Sequence, residues 1–266
     1  MSDSSPAANP AAVLIERLPD HLMLVTLNRP QARNAVNDEV AAGLQAAIDQ
    51  SEADDDVWAV ILTGSGDLAF CAGADLKAVS SGTGAALHTE RGGFAGFVHA
   101  VRRKPWIAAV NGPALAGGCE IALACDLIVA VPAARFGLPE VKRGLVASAG
   151  GLYRLPRALP RAIALEMILT GEPISAERAL QYGLINHLAA PDQLLTAARA
   201  LAERITVNAP VAVRESLAVA RRAQDLSDTE LRALSEQAGA TVASSQDFQE
   251  GPRAFIEKRA PRWTGR

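Results

Sequence analysis

Aromatic side chains are scarce in this chain: phenylalanine, tryptophan and tyrosine together make up 4% of its 266 residues. A site built as an aromatic cage is excluded, and so is an aromatic stacking platform for single-stranded nucleic acid. Charge of one sign is lacking too. Twenty-six basic residues against 29 acidic ones leave a formal net charge of −3, too little for a global field that draws the protein to nucleic acid or to an anionic membrane. The three cysteines, Cys71, Cys119 and Cys125, are an odd number with no C-x-x-C spacing. That argues against a disulfide framework and for a reducing, cytoplasmic setting, with each thiol acting as a small hydrophobe. Long apolar runs are missing as well, because Asp126 and Pro132 interrupt the best of them well short of a membrane span. Four scattered histidines, His21, His88, His99 and His187, have no i, i+4 pairing and no neighbouring cysteine, so no metal site is expected.

What the chain has in excess is small residues, 53 alanines and 21 glycines. Its length suits one large domain with an appendage, at the usual ~150 residues per domain. Residues 1–12 carry neither a basic n-region nor an apolar h-region and read as a disordered lead. Val13 to Leu27 predicts two short strands around the turn Leu18-Pro19-Asp20-His21. Asn37 is a candidate N-cap, with Asp38 and Glu39 in the first turn and Val40, Leu44, Ala47 and Ile48 on one apolar face of a helix ending near Glu52. Val57–Leu62 and Trp106–Val110 read as buried strands, and Phe94, Phe97, Val98 and Val101 share the face of an expected helix. An alanine-rich helix after Asn111-Gly112-Pro113 and a strand over Leu127–Val131 continue the alternation. A mixed α/β core over residues 13–207 follows, then a helical region over 208–266.

Several motifs invite chemistry and are better read as structure. Gly64-Ser65-Gly66-Asp67-Leu68-Ala69 matches G-x-G-x-x-A, but no helix start follows to hold a pyrophosphate, so a tight turn is expected. Val146-Ala147-Ser148-Ala149-Gly150 lacks the first glycine of a nucleophile elbow. Arg102-Arg103-Lys104 and Arg221-Arg222 read as solvated helix faces or as C-terminal charges favoured by the macrodipole.

Two glycine-bearing turns remain: Phe70-Cys71-Ala72-Gly73-Ala74-Asp75-Leu76, and Asn111 to Glu120 with the pair Gly117-Gly118. Each lets backbone approach a ligand closely, and the second opens a helix whose free N–H groups make an oxyanion site. Glu120 lies in that helix among apolar neighbours, where a carboxylate loses several kcal/mol of hydration unless it is used or paired. Glu140 follows Pro139 just past a strand. As bland alternatives, Glu120 is a first-turn acid and Glu140 a partner of Lys142 or Arg143. Two acids beside one candidate oxyanion hole suggest paired general acid and base.

These letters resemble the enoyl-CoA hydratase/isomerase, or crotonase, superfamily. The pieces that carry the resemblance run in order from Leu27-Asn28-Arg29-Pro30 and Asn34-Ala35, through Phe70 to Leu76, Asn111 to Glu120 and Pro139-Glu140, to Ala149-Gly150-Gly151, Arg154-Leu155-Pro156 and Glu250 to Arg259. The resemblance implies an α/β fold, a crotonase-like spiral of ββα turns with a helical C-terminal trimerisation region. It implies oxyanion amides at Ala74 and Gly117, catalytic acids at Glu120 and Glu140, and an acyl-CoA thioester substrate with no separate cofactor and no metal. Coenzyme A would lie along Arg33, Ala72, Gly73, Asp75 and Leu76, with Phe255 and Lys258 of a neighbouring subunit near the nucleotide, in a trimer or a dimer of trimers. Lys258 by itself is simply a surface charge. Hydratases of this family keep two glutamates at the positions of Glu120 and Glu140, whereas isomerases and dehalogenases lack one or place it elsewhere. Ala147-Ser148 departs from the family's Pro-Gly, leaving Ser148 to help place the water. The expected reaction is hydration of a 2-enoyl-CoA; double-bond isomerisation on the same scaffold is the alternative, and noncatalytic acyl-CoA or RNA binding is a further one.

Overall fold

The computed structural model describes residues 11–266. Most of the expected N-terminal lead lies outside them, but the Ala11 and Ala12 carbonyls accept hydrogen bonds from the Asn28 side chain and backbone at 3.0 and 2.8 Å. Strands β1 (Val13–Leu18) and β2 (Leu22–Leu27) pair antiparallel. Asp20 and His21 turn the hairpin at φ 61° and 63°, the positive values that tight two-strand turns favour. Helix α1 (Asp38–Ala53) follows, and the Asn37 side chain caps it by accepting the Val40 amide at 3.0 Å. Its expected apolar face, Val40, Leu44, Ala47 and Ile48, is buried. Strand β3 (Ala59–Gly64) is buried at every residue. It starts two residues later than the apolar run because Trp58 is held outside it: its amide donates to the His21 carbonyl at 2.8 Å and its ring stacks on the His21 ring at 3.6 Å.

After the short helix α2 (Leu76–Ser80) the chain departs from expectation. Phe94, Phe97, Val98 and Val101 do not form a helix. They belong to a hairpin of β4 (His88–Thr89) and β5 (Gly93–Phe94) and to the turns after it. Gly93, Ala95 and Gly96 all take positive φ, which no right-handed helix allows. Three of the four side chains are still buried, and only Val101, 90% exposed, falls off the apolar face.

From here strands alternate between two sheets. β6 (Trp106–Val110) enters the large sheet, β7 (Ala114–Leu115) the small one, and α3 (Gly117–Ala124) closes the turn. Then β8 (Leu127–Ala130), β9 (Arg135–Gly137), a 3-10 turn (Pro139–Arg143) and α4 (Gly151–Ala158) repeat the course. Helix α5 (Arg161–Thr170), strand β10 (Ile174–Ser175), helix α6 (Ala176–Gln181) and strand β11 (His187–Leu188) complete both sheets. The large sheet runs β1-β2-β3-β6-β8-β11 and the small one β10-β9-β7. Every pair from β2 to β11 in the large sheet is parallel, as crossovers through a second sheet and a helix require.

Helix α7 (Leu194–Thr206) packs on β3, β6 and β8, and beyond it α8 (Pro210–Ala220), α9 (Asp228–Ala243) and α10 (Gln246–Ile256) form a helical arm. The basic clusters expected at the surface are its anchor. Arg102 and Lys104 are buried, with the Arg102 guanidinium donating to the Phe97 and Ala124 carbonyls at 2.6 Å each and lying 4.1 Å over the Phe97 ring. Lys104 donates to the Ser51 and Asp54 carbonyls, and Arg221 of the arm pairs with Asp126 at 2.7 Å and donates to the Arg102 carbonyl. Carbonyls left open at chain reversals, not solvent, drew these cations inward.

Asn34 performs the same service for the loop after β3. Fully buried, it donates to the Ser65 and Ala69 carbonyls at 3.0 and 2.9 Å and accepts the Arg29 amide at 3.0 Å. Asn34→Ala strands these buried groups and should cost ~2–4 kcal/mol of stability in urea unfolding, at ~1–3 kcal/mol per unsatisfied group with partial relaxation.

Candidate active site

The two glycine-bearing turns meet where the sheets close. Cys71 forms a parallel bridge to Ala114, and a Cβ on Gly118 would lie 2.0 Å from the Cys71 carbonyl oxygen, so no larger residue fits at that crossing. A Cβ on Gly73 would sit 3.0 Å from the Gly117 nitrogen. The turns are therefore in backbone contact.

Their geometry leaves two amides free. The parallel bridge between Val36 and Ala74 uses the Gly73 carbonyl and the Asp75 amide, at 2.8 and 2.9 Å, so the Ala74 N–H points away from it. Gly117 is the first residue of α3, where an amide has no intrahelical acceptor. Among the described residues, neither amide donates to a protein acceptor. Ala116 before it holds φ 52° and ψ −129°, with its own amide on the Gly137 carbonyl at 2.9 Å. Such a conformation costs an alanine ~1–3 kcal/mol. It is the local strain that turns the Gly117 N–H outward beside that of Ala74.

Both expected acids reach this place. Glu120, in the first turn of α3, is 3% exposed, and its Oε1 accepts the Gly151 amide at 2.9 Å. Burial lifts its carboxyl to about 7, opposed by the Gly151 amide and reinforced by the charge of Glu140. Glu140 stands in the 3-10 turn after β9, 9% exposed, with Oε2 lacking any hydrogen-bond partner. Burial raises its carboxyl as well. Lys142 pairs with Glu172, leaving Glu140 without the bland ion pair that the sequence offered it. Two free N–H donors and two carboxyls that hold protons unusually well are thus grouped around the start of α3. Among the described residues no three His, Cys, Asp or Glu side chains gather into a metal-binding group.

The remaining expected residues divide. Arg33 and Ala72 are exposed and joined through the Ala72 amide on the Arg33 carbonyl at 3.1 Å; Leu76, 58% exposed, follows at the start of α2. The Asp75 carboxylate is spent on the fold, capping α2 through the Lys77 amide at 3.1 Å and pairing with Arg29 at 3.0 Å. Burial pushes its pKa up, but the Arg29 and Lys77 hydrogen bonds outweigh that and hold it below the usual range. Ser148 is exposed, and its amide already donates to the Val146 carbonyl at 2.8 Å, which leaves its hydroxyl as the free donor. Phe255, 86% exposed, and Lys258 project from the arm and not into this cluster. Arg154 was legible only as a letter of the resemblance. Its guanidinium spans the turn that holds Glu120, donating to the Ala149 and Val98 carbonyls at 3.2 and 2.5 Å.

Two free backbone amides near two buried carboxyls, on strands alternating between two sheets, are the arrangement of an enzyme of the crotonase class. The chain belongs to the enoyl-CoA hydratase/isomerase family, which it matches over residues 18–266. It is 40% identical over 247 residues, 92% of this chain and 96% of the other, to an (E)-benzylidenesuccinyl-CoA hydratase of Thauera aromatica. It is equally 40% identical over 249 residues, 92% and 95% of the two chains, to a carnitinyl-CoA dehydratase of Salmonella arizonae. The solved structure of an enoyl-CoA hydratase from Mycobacterium tuberculosis shares 48% identity and a TM-score of 0.92, covering 96% of this chain and 100% of that one. The spiral fold and the CoA-thioester class of substrate are thereby shown.

The raised Glu120 pKa has a thermodynamic signature. The folded chain keeps that proton to about pH 7, whereas a free carboxyl releases it near 4.5, so this group's contribution to stability falls as pH rises through that window. Glu120→Gln has no proton to lose. Its melting temperature should gain on the wild type between about pH 4 and about pH 8, and a gap independent of pH would contradict burial as the cause.

Proposed function

We propose that the protein is an enoyl-CoA hydratase, adding water reversibly and syn across the double bond of a 2-enoyl-CoA to give the 3-hydroxyacyl-CoA. The observation that carries this reading is the pair of buried carboxyls, Glu120 and Glu140, both with raised pKa, beside the free Ala74 and Gly117 amides. An isomerase needs one acid to shuttle a proton; addition of water needs a base for the water and an acid for carbon.

In the proposed reaction the two amides donate hydrogen bonds to the thioester carbonyl oxygen, and each such donor lowers the barrier by ~2.7–4 kcal/mol as the enolate forms. Glu120 takes a proton from the water whose oxygen bonds to Cβ, and Glu140 gives its proton to Cα. The pair thus begins and ends with one proton. The pair titrates as a unit. Activity should fall on the alkaline side as the pair loses its only proton, and on the acid side as it gains a second. Arg33 and the backbone from Ala72 to Leu76 offer the CoA edge, and Phe255 and Lys258 of a second copy complete it in a trimer or dimer of trimers. Coenzyme A belongs to the substrate, so no further cofactor is required. The free thiols of Cys71, Cys119 and Cys125 suit the cytoplasm.

The named relatives act on differently substituted acyl groups, so the test is a panel of enoyl-CoA esters scored by kcat/KM. Loss of the enoyl absorbance with appearance of 3-hydroxy product supports the reading. Conversion of a 3-enoyl ester to the 2-enoyl ester without hydration replaces it with isomerisation, and binding without turnover replaces it with a noncatalytic role. Within the hydratase reading, Glu120→Gln and Glu140→Gln should each lower hydration at least ~100-fold while CoA-ester binding persists. Near wild-type turnover in either variant would remove that residue from the proton path.

A further inference from the structure

Arg154 lies on α4, the helix that begins at the turn gripping Glu120, and makes no ion pair with any acid. A half-buried cation without a carboxylate partner among the described residues is expensive unless other acceptors satisfy it. Here they are two carbonyls from separate segments: Ala149 at 3.2 Å, in the turn itself, and Val98 at 2.5 Å, in the strand-and-turn segment that follows β5. The Tyr153 ring lies 5.1 Å beneath the guanidinium, and its hydroxyl meets His99 Nε2 at 3.2 Å, tying the same two segments a second time.

The turn is shaped around this side chain. Gly150 holds φ +112°, and a Cβ there would lie 1.9 Å from Arg154 Nη1. One residue on, the Gly151 amide makes the 2.9 Å bond to Glu120 Oε1. We propose that Arg154 is a positioning residue for the proton-handling pair: by clamping Ala149 to Val98 it aims the Gly151 amide at Glu120. Glu120 is faced by Glu140 from the 3-10 turn, by Arg154 from α4, and by the amides of Ala149 and Gly151. Arg143 lies nearer Glu140. The nearby charge of Arg154 also favours the ionised form of the Glu120 carboxyl.

The proposal rests on the hydratase reading for its kinetic consequence alone; the effect on Glu120 is a property of the resting protein. Its carboxyl can be titrated without substrate by infrared spectroscopy of the protonated C=O stretch, with Glu120→Gln assigning the band. In Arg154→Gln the midpoint should rise, because removing a nearby positive charge disfavours the carboxylate. In Arg154→Lys, which keeps the charge but cannot fork to both carbonyls, the misaimed Gly151 amide should raise the midpoint too, by less than in Arg154→Gln, while kcat falls about tenfold or more at unchanged KM, as expected for a misplaced catalytic group. The alkaline limb of the kcat profile should follow the infrared midpoint in each variant. An unmoved midpoint in folded Arg154→Gln overturns the link from Arg154 to Glu120, and wild-type kcat in Arg154→Lys overturns the positioning role. If Arg154→Gln does not fold, the Lys variant decides alone, since a purely structural arginine replaced by a folded lysine predicts unchanged kcat. A shifted midpoint in a protein that hydrates no enoyl-CoA would leave Arg154 in this role and reject the hydratase reading.

Discussion

Everything at the site depends on two stretches of backbone passing closer than side chains permit. At the contact between Cys71 and Gly118 there is no room for a single methyl group, and from it follow the adjacency of Gly73 and Gly117 and the pairing of the free Ala74 and Gly117 N–H groups. The surrounding fold is organised to keep that contact. The Cys71 bridge to Ala114 docks one turn of the spiral onto the small sheet, and buried Asn34 and the partly exposed Asn111 secure the loop leading to it, Asn111 through the Gly66 carbonyl at 2.7 Å. Polar side chains here serve the backbone.

The acids are governed by the opposite economy. Glu120 and Glu140 sit where ionisation is disfavoured, and neither is rescued by a cation in direct contact. Two half-buried carboxylates elsewhere are each matched by a cation, Asp126 by Arg221 and Asp75 by Arg29. That contrast separates carboxyls kept for chemistry from carboxyls used for construction, because perturbed titration without a structural partner is a mark of function. Ala116 adds a second such mark in its strained backbone.

Much of this was legible in the letters, for reasons that differ by residue. The Asn37 cap, the hairpin at Asp20-His21 and the buried strands are local, set by turn chemistry and periodicity within a few residues. The candidate residues Ala74, Gly117, Glu120 and Glu140 were marked out by the order and spacing of the motifs that carry the family resemblance. Illegible were features whose cause lies far along the chain. The spacing of Phe94, Phe97 and Val98 mimics a helix because all three are buried, yet glycines with positive φ route the backbone otherwise. Arg102 and Lys104 look like solvent charges until carbonyls from Phe97, Ala124, Ser51 and Asp54 converge on them. Arg154 reveals itself only once Val98, 56 residues earlier, is placed beside it.

The arm has a consequence of another kind. Helix α9 runs 16 residues without burying one of them, and its best-defined local support is the capping box between Ser227 and Glu230. A helix held by so little opens by itself far more often than the sheets do. In an isolated chain its amides would exchange with solvent as a separate, weakly protected unit, while β3 and β6 exchange only through global unfolding. The molecule therefore carries two tiers of cooperativity, and whatever surface eventually covers α9 merges them into one.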